Sequence, residues 1–180
     1  MRMTYRKRRT DGARRTALTG VMAALSLVFL YLSAVAPSGR LGLIALAGII
    51  PAGAVVSAGL VAGFCCYGVT GLLGLILLPV KSNVLLYLLF FGLYPMIKCL
   101  IERLRKMPPE ILLKLVFFNL MLTVFWFGLS GLLLPFLPAV LSSKTWLLYL
   151  VGNVVFLIYD FGFTKLIAFY CRRIDRVLRK

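Results

Sequence analysis

Histidine is absent from these 180 residues, and only five carboxylates accompany 21 Lys and Arg. Cys65 and Cys66 are adjacent, while Cys99 and Cys171 stand alone. A zinc or haem site needs spaced Cys and His ligands, so no ligand set can be assembled and no metal or other cofactor is expected. The thiols read as small apolar packing residues. Paired carboxylates, a Gly-x-Ser-x-Gly turn and a phosphate-binding loop are missing as well, so no catalytic residues are assigned and ATP hydrolysis by this chain is not expected. A net charge of +16 would suit nucleic acid. The basic residues flank apolar stretches and line no polar face, which excludes that reading. Attraction to an anionic leaflet accounts for them more simply.

What the chain has is length of apolar run. It is 62% hydrophobic with a mean hydropathy of +0.99, far from a soluble globular domain. Eighteen of the 21 cations fall into three clusters. The first is Arg2, Arg6, Lys7, Arg8, Arg9, Arg14 and Arg15; the second is Lys98, Arg103, Arg105, Lys106 and Lys114; the third is Lys165, Arg172, Arg173, Arg176, Arg179 and Lys180. Only Arg40, Lys81 and Lys144 lie outside them. Lys and Arg beside membrane spans are retained in the cytoplasm, so all three clusters are placed on that side.

Four spans are evident: about Thr16–Ala36, Asn83–Ile101, Ile111–Leu137 and Thr145–Tyr170. The basic start, the apolar run and Ala34-Val35-Ala36 imitate a signal peptide. Pro37 follows the would-be cut, and the run is about 20 residues, enough to span the bilayer, so it reads as a retained helix. Between the first two spans, Leu41–Pro79 carries no charge. One crossing there would put Arg103, Arg105 and Lys106 outside. Two crossings return them to the side of the N-terminus and bring the third cluster back as well.

The sequence therefore predicts an all-α membrane protein: a six-helix transmembrane bundle with both termini cytoplasmic. Residues 1–15 form a basic N-terminal segment, 16–172 the transmembrane domain and 173–180 a basic tail. Pro51, which cannot donate a helical hydrogen bond, is the expected break. That choice makes the second helix short (Leu41–Ile50) and the third long (Ala52–Leu78).

Small residues recur at helical spacing. Ala13, Ala17, Gly20 and Ala24 lie near one face of the first helix, which suits ordinary contact within the bundle or, as a candidate partner-docking face, a separate membrane subunit. Ala54, Ala58 and Ala62, with Gly59-x-x-x-Gly63, form a ladder expected in the third helix. Such faces let helices approach closely in lipid. Asp160 is the only acidic residue deep in an apolar run, and a pair with Lys98 or Lys165 is expected because a lone buried carboxylate is costly. Toward the outer side, Lys81 and Asn83 start the fourth helix with Tyr87 one turn inward. Asn119 and Trp126 lie along the fifth helix and Asn153 in the last. These six are the candidate substrate-binding residues, with an interfacial capped helix end as the plainer role for Lys81. Tyr31, Trp146 and Tyr149 suit the outer aromatic belt.

Size, six helices, and the stretches ARRTALTGVMAAL and GIIPAGAVVSAGLVAG resemble the substrate-binding S components of energy-coupling factor (ECF) transporters, from about Arg14 to Arg173. The resemblance implies a receptor in the bacterial cell membrane that captures a vitamin-like nutrient outside. It also implies docking on a transmembrane coupling subunit driven by ATPase subunits, with import by toppling of the bundle. The family's Ala-x-x-x-Ala docking pattern maps onto Ala13 and Ala17; the next position in register is Val21, and Gly20 and Ala24 form an offset pair. The alternative is a non-transporting membrane scaffold of similar fold, like the shape-determining MreD proteins. An ion-coupled carrier using Asp160 is a further possibility that lacks the internal repeat such carriers have.

Overall fold

The computed structural model describes residues 2–102, 107–128 and 145–178, with side chains for 12–102, 108–128 and 146–172. All regular structure among them is helical: α1 (Arg2–Val35), α2 (Arg40–Ala58), α3 (Leu60–Leu77), α4 (Lys81–Leu86), α5 (Tyr94–Glu102), α6 (Met107–Thr123) and α7 (Thr145–Leu178). A π-helical turn, Tyr87–Phe91, joins α4 towards α5, and another, Val124–Gly128, extends α6. Among the described residues six segments are long and apolar enough to cross a membrane: Gly12–Val35, Arg40–Ala58, Leu60–Leu77, Lys81–Glu102, Pro108–Gly128 and Trp146–Arg172. The chain is an all-α, multi-pass membrane protein.

The basic segment 2–15 is not separate from the first span; α1 begins at Arg2. Likewise α7 runs on to Leu178, so helix continues into the basic tail. The stretch beyond Gly128 up to Leu137, expected in the fifth span, lies outside the described residues.

The break between the second and third spans is not where proline suggests. Pro51 lies inside a 19-residue α2, so the second helix is not short. Proline removes the donor that would serve the carbonyl four residues back, that of Ala47. Ser26 of α1 supplies the replacement, its Oγ donating to Ala47 O at 2.8 Å. Hydroxyls of neighbouring helices make proline tolerable inside spanning helices in this way. The chain turns instead at Gly59, whose φ of +98° is a backbone conformation favouring glycine. The expected alanine ladder is consequently divided, with Ala54 and Ala58 in α2 and Ala62 in α3.

The chain forms two compact units, Met1–Met96 and Ile97–Lys180, with the boundary inside α5. In the first unit, helix directions follow from which residues meet. Thr70 Oγ1 donates to Ala23 O at 3.2 Å, and Arg15 and Ala23 share a groove with Ala58 and Val69, so α1 and α3 run the same way. Against α1, by contrast, Asn83 meets Ser33 and Tyr87 meets Ser26, so the fourth span runs opposite. Gly48 allows α2 to approach the π-turn backbone: a Cβ there would collide with the Phe91 carbonyl.

In the second unit α6 and α7 are antiparallel. Partners descend along α7 as they climb α6: Phe118 stacks on Phe156 at 4.6 Å, Asn119 bonds Asn153, and Thr123 meets Tyr149 at 2.7 Å. The directions of α1, α3 and the fourth span, and those of α6 and α7, agree with alternating crossings.

Candidate functional site

Polar side chains are sparse in an apolar chain, and among the described residues the buried ones fall in two places, one per unit. The first is a seam along α1. Ser26, Ser33, Thr70, Asn83 and Tyr87 are all fully buried. Ser33 Oγ donates to Leu30 O at 2.6 Å and accepts from Asn83 Nδ2 at 3.0 Å. The Tyr87 hydroxyl lies 3.4 Å from Ser26 Oγ. Tyr67, beside Tyr87 with ring centroids 6.0 Å apart, donates its hydroxyl to Leu88 O at 2.8 Å inside the π-turn. Asn83 Oδ1 is buried with no hydrogen-bond partner among the described residues. Lys81 is exposed, and its ammonium donates to Leu75 O, one of the carbonyls that the end of α3 leaves without a helical donor. It therefore acts on α3 as a capping cation.

The second place is a ring of four charges where α5, α6 and α7 meet. Lys98 pairs with Asp160 and, at 2.8 Å, with Glu102. Lys114 pairs with Glu102 at 2.8 Å and with Asp160 at 3.2 Å. Each cation touches both anions, so the circuit is closed, alternating in sign and neutral overall. Lys98 also donates to Thr164 Oγ1 at 2.9 Å and lies 5.9 Å from the Phe163 ring centroid. Only 2% of its side chain is exposed, against 40% for Glu102, so the ring is deep at Lys98 and open at Glu102. In a low dielectric such pairing is what keeps four charges tolerable.

Of the two partners expected for Asp160, Lys98 is the one used. Lys165 instead places Nζ 5.2 Å from the Phe161 ring centroid. Glu102 and Lys114 were not singled out by the sequence, because their positions near helix ends suit topology as well as pairing. A lone Glu beside the second basic cluster was the available signal.

The six candidate substrate residues divide between the units. Lys81, Asn83 and Tyr87 belong to the first, the latter two facing α1. Asn119, Trp126 and Asn153 belong to the second. There Asn119 Nδ2 donates to Asn153 Oδ1 at 2.9 Å and Asn153 Nδ2 to Asn119 Oδ1 at 3.1 Å, each amide also bonding a carbonyl on its own helix. Trp126 sits half-buried in the α6 π-turn.

On α1, Ala13, Ala17, Gly20 and Ala24 are exposed, whereas Ala23, Ser26, Leu30 and Ser33 turn inward. Among the described residues no cluster of His, Cys, Asp and Glu suits a metal ion. No protein-family model, no curated protein and no solved structure matches the chain.

Proposed function

We propose that the chain is the integral membrane substrate-binding subunit of an energy-coupled importer. It captures a small, vitamin-like nutrient on the outer side of the cell membrane, with both termini in the cytoplasm. Partner subunits, a transmembrane coupling protein and ATPases, supply the energy.

The observation that carries this reading is the exposed small-residue face of α1. Had Ala13, Ala17, Gly20 and Ala24 served internal packing, they would be covered; the packing face is the adjacent one, through Ala23, Ser26, Leu30 and Ser33. A free face of this kind suits close approach by another spanning helix. The buried acceptor Asn83 Oδ1, two residues from the exposed Lys81, adds a polar focus at the opposite end of α1 from Arg14 and Arg15.

Affinity purification in mild detergent of the tagged chain and its Ala17→Leu/Ala24→Leu variant tests this. The wild type is expected to retain a membrane subunit and ATPases, and the variant to lose them while keeping its helicity. Equal retention by both, or no ATPase with either, would refute it.

One observation favours the scaffold reading. Asn119 and Asn153 satisfy each other, and Asn83 and Tyr87 are packed against α1, so these polar residues serve helix association. Deletion that alters cell shape without reducing uptake of any nutrient would select the scaffold.

A further inference from the structure

We infer that the groove between α1 and α3 is a binding site for one anionic phospholipid of the leaflet at the Arg14 and Arg15 end of α1. The inference concerns the purified chain alone; it shares Gly20 with the docking face of the transport reading, but none of Ala13, Ala17 and Ala24. The groove encloses about 380 Å³ and lies wholly within the first unit. Its lining includes Gly20 and the buried Ala23 of α1, with Val61, Ala62, Cys65 and Val69 of α3. From Arg15 to Ala23, and from Val61 to Val69, it runs about 12 Å along each helix at 1.5 Å per residue. One leaflet of hydrocarbon is about 15 Å deep. The length therefore suits a single acyl chain entering from the interface, and is well short of the roughly 30 Å a spanning partner helix would line.

Charge settles which lipid. Arg15 stands at the interfacial end of the groove, with exposed Arg14 beside it, and the preceding residues of α1 add Arg2, Arg6, Lys7, Arg8 and Arg9 against the single carboxylate Asp11. The hydroxyls at that end are engaged by carbonyls of their own helix: Thr16 donates to Gly12 O at 3.1 Å and Thr19 to Arg15 O at 2.8 Å. The Arg15 guanidinium is thus the donor presented to a headgroup, and a guanidinium matches a phosphodiester with parallel hydrogen bonds. Basic pockets between spanning helices on the cytoplasmic side select anionic headgroups on this ground.

Native mass spectrometry of the detergent-purified full chain, titrated separately with phosphatidylglycerol and phosphatidylcholine, tests the site. Phosphatidylglycerol is expected to bind more tightly. Arg15→Gln is expected to weaken it about five-fold, toward phosphatidylcholine. Gly20→Leu is expected to abolish binding of both lipids without loss of helicity, because a Cβ at Gly20 meets no atom within 4 Å and the added side chain fills the groove. Equal affinity of the wild type for the two lipids would overturn the inference, as would an undiminished preference in Arg15→Gln. So would retention of phosphatidylglycerol by Gly20→Leu, or its displacement by a stoichiometric polypeptide partner.

Discussion

Ser26 Oγ donates to Ala47 O at 2.8 Å, and Ala47 is the residue whose carbonyl Pro51 leaves without its helical donor. One hydroxyl on α1 thus allows α2 to run through a proline and reach spanning length. Ser26→Ala is expected to cost about 1 kcal/mol, the scale of side-chain hydrogen bonds in membranes. In a Pro51→Ala background the helical donor returns, and the same substitution is expected to cost much less. A double-mutant cycle by unfolding in mixed micelles measures the coupling; equal costs in both backgrounds would remove the proposed role of Ser26.

The four-charge ring responds to imbalance more than to loss of any one contact. Lys98→Met leaves two carboxylates against one cation at the deepest point and is expected to destabilise by about 3–5 kcal/mol. Lys98→Met combined with Asp160→Leu restores neutrality and is expected to recover much of that. Glu102→Gln, at the open edge, is expected to cost about 1 kcal/mol or less. Thermal unfolding in detergent would show the order, and a double variant less stable than Lys98→Met would contradict it.

Asn119 and Asn153 form a reciprocal pair, so removing one strands the other. Asn119→Leu and Asn153→Leu are each expected to cost about 1 kcal/mol, and the double variant less than their sum. Additive losses would mean that the two amides act independently.

Six spans of alternating direction would return the chain to the side where it starts. Fluorescent proteins fused to the N-terminus and, separately, to the C-terminus are both expected to mature in the cytoplasm. Fluorescence from one fusion only would break the six-span count.

The number of spans was legible because it rests on chain-averaged quantities: run length and the sign of charge at the ends. The position of the second break was not. Pro51 is a local signal, and its repair by Ser26 comes from a different helix, 25 positions earlier, so no window around the proline contains it. The Asp160–Lys98 pair was legible because each charge stands out in an apolar run. Lys114 merged with the second basic cluster, and only the antiparallel register of α6 and α7 shows that it faces Asp160. The same register pairs Asn119 with Asn153, which sequence reading treats as separate pocket residues.

The importer reading is tested most directly by native mass spectrometry of the chain gently extracted from its own membrane. The expected result is an assembly with a membrane coupling subunit and ATPase subunits, carrying a bound small molecule that is not a lipid. The chain alone, with neither subunits nor such a ligand, would contradict it.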